Sequence, residues 1–304
     1  MIQSLIDGIL TGAIISLGAI GLTMVMHILR FANFAYAEIL AIGAYVALVF
    51  DRLFAALVPV FDAALAPLTL SISLLLALVV AMAAAGVSAV VVDKLIFARI
   101  RARADALSMV FASFGVALIL RNVITLIFGH HPQLYSPDIA MARIISFDPL
   151  ILIKPDQVFV LVAALLLMAA FHLVLTRTTF GYALRAVAEN PALAQVSGVN
   201  LKRMIVAVWL IGGALSAAAG VFYTLTNQLT PMLGHTFLLP IFAATIVGGI
   251  GSVYGAVLGG FIVGIASGLS LMVLPSGYTP AMPFVLILAV LLIRPHGLFG
   301  EDTR

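Results

Sequence analysis

The sequence predicts an all-α fold, a polytopic transmembrane bundle of about eight to nine spans arranged as an inverted repeat with broken helices. Three observations carry that expectation. Of 304 residues, 64% are hydrophobic and only 9% charged, with a mean hydropathy of +1.25; a water-soluble domain of that composition would expose a large apolar surface. The apolar residues come in uninterrupted segments of roughly 20, enough for a helix to cross the hydrocarbon core, whereas barrel strands alternate apolar and polar residues over about ten. The few cations flank these segments, as the positive-inside rule requires, so the net charge of +3 implies no nucleic-acid partner.

Residues 5–29 form the first span, ending at Arg30. It contains Asp7, lacks a basic leader and is too long for a signal peptide, so it is read as a retained helix. Residues 31–37 break the chain before a second span over 38–50, and 51–67 form a proline-bounded loop. The third span, 68–92, runs into Lys94, Arg99, Arg101 and Arg103, a cluster that assigns this end to the cytoplasm. Residues 107–128 are the fourth span, with Arg121 and Asn122 near its end. An external loop over 129–157 leads to the fifth span, 158–175, and Arg177 brings the chain back to the cytoplasm. The sixth span is 204–226, followed by an external turn over 227–235. Residues 236–274 are too many for one crossing, and Gly248-Gly249-Ile250-Gly251-Ser252 splits them into a short, broken or re-entrant half and a full span. The last crossing, 282–293, ends at Arg294-Pro295-His296-Gly297 and a short polar tail on the cytoplasmic side.

The whole chain, 1–304, is therefore one transmembrane domain with its amino terminus outside and its carboxyl terminus inside, on a count of about nine crossings; eight also fits. In the longer count the first four and last four segments start on opposite sides, the fifth links them, and each set has a helix interrupted near its second member.

Within this frame, residues 176–203 are the longest non-apolar run that keeps helical signals. Thr178 or Thr179 can cap a helix through Arg185 and Glu189, which Asn190-Pro191 stops. Asn190 then caps a second helix, Pro191 suits its first position and Gly198 sits where a left-handed terminal residue belongs, giving two turns over 191–197. Small residues, Ala183, Ala186, Ala188, Ala192 and Ala194, are expected on the exposed faces, with Arg185 and Glu189 four apart, so that another protein could approach closely and be held in register. An ordinary helical loop between spans has the same composition.

Gly251, Gly255 and Gly259 recur every four residues beside a second row, Gly260, Gly264 and Gly268, so the span after Gly248-Gly249 has faces almost without side chains. Such faces suit close helix packing within the subunit or between subunits. Asn33 and Glu38 flank the first break. A carboxylate well inside a bilayer costs roughly 2.5–3.5 kcal/mol on insertion scales, so Glu38 must face protein or water, and both residues are candidates for a substrate pathway. Glu38 could equally cap the second span at the cytoplasmic interface, offsetting the helix dipole.

His130 and His131 are adjacent but have no acids at metal spacing, so they suggest no metal. With no cysteine, thiolate sites and disulfides are excluded. There is no serine-hydrolase elbow, no His-Glu-x-x-His and no phosphate-binding loop, so no enzyme site, cofactor or ATP hydrolysis of its own is expected. A secondary transporter would need ion-coupling acids within its spans, and Asp7 and Glu38 both lie near span ends.

Three segments carry a family resemblance. Asn33-Phe34-Ala35 followed by Glu38 and Gly43-Ala44-Tyr45, the stretch from Thr179-Phe180-Gly181-Tyr182-Ala183-Leu184-Arg185-Ala186 to Glu189-Asn190-Pro191, Ala194 and Gly198, and Gly248-Gly249-Ile250-Gly251-Ser252 with Gly255-Ala256 and Gly259-Gly260 resemble the permeases of branched-chain amino acid ABC transporters over nearly the whole length. Where that family usually has His-Gly before the glutamate, this chain has Tyr36-Ala37. The resemblance implies an inner-membrane importer permease working by alternating access in membrane lipid. It implies two ATPase subunits that bind the ATP, a second permease, either a different chain or a second copy, and a periplasmic binding protein; the loop carrying Arg185, Ala186, Glu189, Asn190, Pro191, Ala194 and Gly198 would dock on the ATPase. Related permeases carry urea, short amides or aromatic acids, so the family does not fix the cargo.

Overall fold

The computed structural model describes residues 2–63, 65, 67–101, 105–135, 143–147 and 150–300. In chain order the helices are α1 (Ile2–Leu29), α2 (Tyr36–Leu57), α3 (Ile72–Val92), α4 (Ala98–Arg101), α5 (Ala106–Phe128), α6 (Pro155–Arg177), α7 (Thr179–Glu189), α8 (Pro191–Val196), α9 (Leu201–Thr226), α10 (Leu233–Gly248), α11 (Val253–Ser270) and α12 (Met282–Ile293). Among the described residues seven helices are long and apolar enough to cross a membrane, α3 and α4 counting as one through a π-helical turn, Asp93–Phe97. Two shorter apolar helices, α10 and the segment ending in α12, bring the set to the larger expected number. Capping side chains set several starts: Ser71 accepts from Leu74 N–H, Asp105 from Ser108, Asn200 from Arg203 and Ser252 from Gly255.

Helix α1 is the axis of the bundle, buried at every position from Gly12 to Met26. Its antiparallel partner is α11: Gly8 faces Gly264 and Ile265, Gly12 faces Gly260 and Phe261, and Ser16 Oγ donates to Val257 O at 2.8 Å. The pairings reveal the inverted repeat. Helix α1 packs on α11 as α9 packs on α3; α2 packs on α3 as α10 packs on α11; α1 meets α9, α2 meets α10, and α6 touches both α1 and α9. The two halves thus interlock, each opening helix buried against the third span of the other half.

Several boundaries differ from the sequence reading. Helix α2 continues through Asp51 to Leu57 because the buried carboxylate is satisfied by Ser73 Oγ at 2.6 Å, with Ser71 behind it. A charge in an apolar run marked the membrane edge in the sequence, but Ser73 of α3 and its cap Ser71 let it sit within the helix. The cluster of Lys94, Arg99 and Arg101 lies on continuing helix rather than loop, with Arg101 bonded to Asp93 at 2.5 Å across the π turn; Arg103 is outside the described residues. The loop over 129–157 contains a hairpin, β1 (Arg143–Phe147) and β2 (Leu150–Ile153), and gives its last residues to α6. There Asp156 accepts from Thr69 N–H at 2.9 Å and Thr69 Oγ1 at 2.6 Å, tying the segment before α3 to α6.

Candidate functional sites: a helical elbow and a junction of broken helices

The stretch after α6 folds as its caps dictate. Thr178 Oγ1 accepts from Gly181 N–H to start α7, and Asn190 Oδ1 accepts from Leu193 N–H at 3.0 Å to start α8 with Pro191 in the first turn. Gly198, at φ 90°, ends α8, and the following Val199 N–H reaches back to Ala194 O at 2.9 Å. Where α6 gives way to α7, Gly181 lies against Leu175 O, a contact that leaves no room for a Cβ.

The outer surface of this elbow differs from the expected one. Ala186, Glu189 and Asn190 are exposed and Pro191 is half-buried, but Ala188 and Ala194 are buried and Ala183 is intermediate. Ala194 therefore anchors α8 inward rather than meeting a partner directly. Large apolar groups take the outer positions instead: Tyr182, Leu193 and Val196 are 63%, 63% and 87% exposed. Arg185 does not stretch toward Glu189. Its Nη1 donates to Leu175 O at 3.2 Å, and its guanidinium lies over the Tyr182 ring at 4.9 Å. Leu193 and Val196 have no place in the expectation from sequence, and Gly181 enters it only through the family resemblance.

The glycine rows separate by partner. Gly255 packs on Gly248 and Gly259 on Ala244, closing the α10–α11 hairpin, while Gly260 and Gly264 pack on α1. All of these contacts lie within the subunit. Gly251 does not belong to the helical row; it sits in the turn at φ 96°, against the His27 ring, with Gly249 at φ 104°. The segment after α12 completes this turn, Leu298 N–H and Phe299 N–H donating to Val247 O and Gly248 O.

A second site forms where two helices begin inside the bundle. Between α1 and α2 the irregular backbone is buried and bonded: Phe34 N–H donates to Ser113 Oγ at 3.1 Å and Ala35 N–H to Asn33 Oδ1 at 3.0 Å. This is the condition for non-helical chain at membrane depth. Phe34 stacks on Phe242 of α10 with centroids 5.0 Å apart. Glu38, in the first turn of α2, is 1% exposed and bonded to Arg121 of α5, whose Nη2 and Nε lie 2.9 and 3.2 Å from Oε1.

Arg121 follows Ala106 by 15 residues and precedes Phe128 by seven, about 22 Å and about 10 Å of helix, so the pair is within the bilayer rather than at its surface. On the other side, Gly234 in the first turn of α10 lies so close that a Cβ there would sit 2.5 Å from Glu38 Oε2 and 2.8 Å from Ala37 O. With 16 residues, α10 is about 24 Å long, short of a full crossing of about 30 Å. The first turns of α2 and α10 thus meet inside the membrane. Of the two alternatives for Glu38, the protein interior is the observed one. Neither Arg121 nor Gly234 was selected from sequence, because their relation to Glu38 exists only in three dimensions.

A helical membrane bundle with interlocked inverted halves, broken helices meeting at depth and an exposed helical elbow defines a transport permease. The chain belongs to the branched-chain amino acid transport system / permease component family, whose model matches residues 4–293. It is 31% identical to the high-affinity branched-chain amino acid transport system permease protein LivH of Escherichia coli strain K12, over 99% of this chain and 96% of that protein. It is 28% identical to the corresponding protein BraD of Pseudomonas aeruginosa over 99% and 96%. A shorter region, 38% of this chain and 32% of the relative, is 36% identical to the xylose transport system permease protein XylH of Escherichia coli. No solved structure matches the chain.

Proposed function

We propose that this chain is one of two non-identical permease subunits of an ATP-driven importer in a bacterial inner membrane, with its carboxyl terminus in the cytoplasm and branched-chain amino acids as cargo. Two separate ATPase subunits bind the ATP, a periplasmic binding protein delivers the cargo, and this chain needs no cofactor. The observation that carries the reading is the elbow of α7 and α8. It presents Tyr182, Leu193 and Val196 outward on a rigidly capped corner, a surface suited to a protein partner rather than to water.

The corner is mechanically connected. Helix α7 touches α1 and α9, and only Ser197–Asn200 separate α8 from α9. Helices α1 and α9 are the two that lead into the breaks. A pull on the elbow therefore acts on the segments that hold the first turns of α2 and α10 together, and parting those turns opens a path past Asn33 and Glu38.

A second reading keeps the machinery and changes the cargo, and the partial likeness to a xylose permease favours it. The test is purification of the tagged chain from its native membrane in mild detergent. Recovery of ATPase subunits and a different permease supports the importer, and uptake assays with leucine, xylose and urea then decide the cargo. Recovery of the chain alone overturns the importer reading.

A further inference from the structure

The junction of α2 and α10 contains more polar capacity than the fold uses. Among the described residues Glu38 Oε2 and Asn33 Nδ2 are buried without a hydrogen-bond partner, although Glu38 Oε1 is bonded to Arg121. Such orphaned groups are costly in an apolar interior and persist where a ligand completes them. The Arg121 side chain is 17% exposed, so one edge of the pair opens away from the subunit core. Within two positions of Arg121 and Gly234 in the chain, Asn122 of α5 and His235 and Thr236 of α10 are polar and exposed.

We propose that Glu38 and Arg121 together form the binding site for the head group of a zwitterionic α-amino acid during its passage. The ammonium of the cargo takes the free Glu38 Oε2 and the carboxylate takes the outward side of the Arg121 guanidinium. One ion pair then becomes an alternating four-charge arrangement in which each buried charge has two opposite neighbours. An uncharged sugar or amide would leave the same charges without that completion. In the closed arrangement the Gly234 backbone packs directly against Oε2, a contact that a Cβ would break by falling 2.5 Å from it. In the conformation described here Glu38 is closed off at 1% exposure, so cargo reaches it only when α2 and α10 part. The inference rests on the amino-acid cargo proposed above, and on no feature of the elbow.

The experiment uses the complete transporter in proteoliposomes. Glu38→Gln and Arg121→Gln are each expected to lower leucine import by about ten- to hundredfold, the effect of losing charge-assisted hydrogen bonds. Single neutralisations would do this for a purely structural pair too, by stranding a buried charge. The combined variant, Glu38→Gln with Arg121→Gln, separates the two. Restored thermal stability with import still low supports the head-group site; import restored to near the wild-type rate overturns it. If the variants do not accumulate, the wild-type protein decides: ATP-driven import of leucine but not of xylose or urea supports the site. Import of an uncharged cargo as fast as leucine overturns it and leaves the permease assignment standing. Failure of ATPase subunits to co-purify overturns that assignment instead.

Discussion

Gly12 of α1 and Gly264 of α11 lie backbone against backbone, so close that a Cβ on Gly264 would fall onto the main chain of Gly12. The single Ser16 hydroxyl, one turn further along α1, lies 2.8 Å from both Gly12 O and Val257 O, sharing its proton between the two helices along the same seam. Gly264→Val should therefore force the helices apart at a cost of about 1–3 kcal/mol or more, the range for overpacking. The expected result is loss of folded protein from the membrane fraction, measured by fluorescence-detected size exclusion. A variant at Gly115, whose Cβ would meet nothing within 4 Å, should behave as wild type in that assay.

At the elbow, the capped corner and the partner surface can be tested apart. Leu193→Glu and Val196→Glu alter exposed groups and should leave the melting temperature of the purified chain within a few degrees of wild type. Each should reduce recovery of ATPase subunits, read by quantitative pull-down. Ala186→Glu, on the same exposed face, should uncouple ATP hydrolysis from uptake; unchanged coupling would argue against docking there.

Asp51 depends on α3. Ser73→Ala removes its 2.6 Å donor and leaves a buried carboxylate to Ser71 alone, whose hydroxyl is 3.5 Å away. A loss of about 1–3 kcal/mol is expected, seen as a lower melting temperature in detergent. Ser73→Ala combined with Asp51→Leu should recover much of it, because the unsatisfied charge is then gone.

The segment after α12 is part of the fold at Leu298 and Phe299. Leu298→Pro removes the N–H that bonds Val247 O at 2.9 Å, and should destabilise the end of α10 by about 1 kcal/mol. Faster amide exchange in α10, relative to α1, is the expected signature.

What could be read from sequence was what is local. The elbow's caps at Thr178, Asn190 and Gly198 depend on residues within four positions of one another, and they fold as read. The inverted order of segments was legible from the lengths of the apolar spans, their basic flanks and the interrupted helix in each half. Pairings over distance were not: Arg121 is 83 positions from Glu38, and no pattern in α5 says which neighbour it meets. Local rules also misled where tertiary partners override them. Asp51 was read as a membrane edge, Gly251 as part of a packing row, and Ala188 and Ala194 as surface, because side-chain direction depends on what α6 and α9 leave uncovered.

The seam between α1 and α11 has a consequence for how the protein is made. Ser16 and Val257 are 241 positions apart, so at about 5–20 residues per second roughly ten to fifty seconds of synthesis separate the emergence of the first helix from that of its partner. Throughout that interval the small-residue face of Gly8, Gly12 and Ser16 lacks the α11 partner it has in the folded protein. A nascent chain stalled before residue 253 would present this face permanently, and quality-control proteases of the membrane could recognise incompleteness at the very first span.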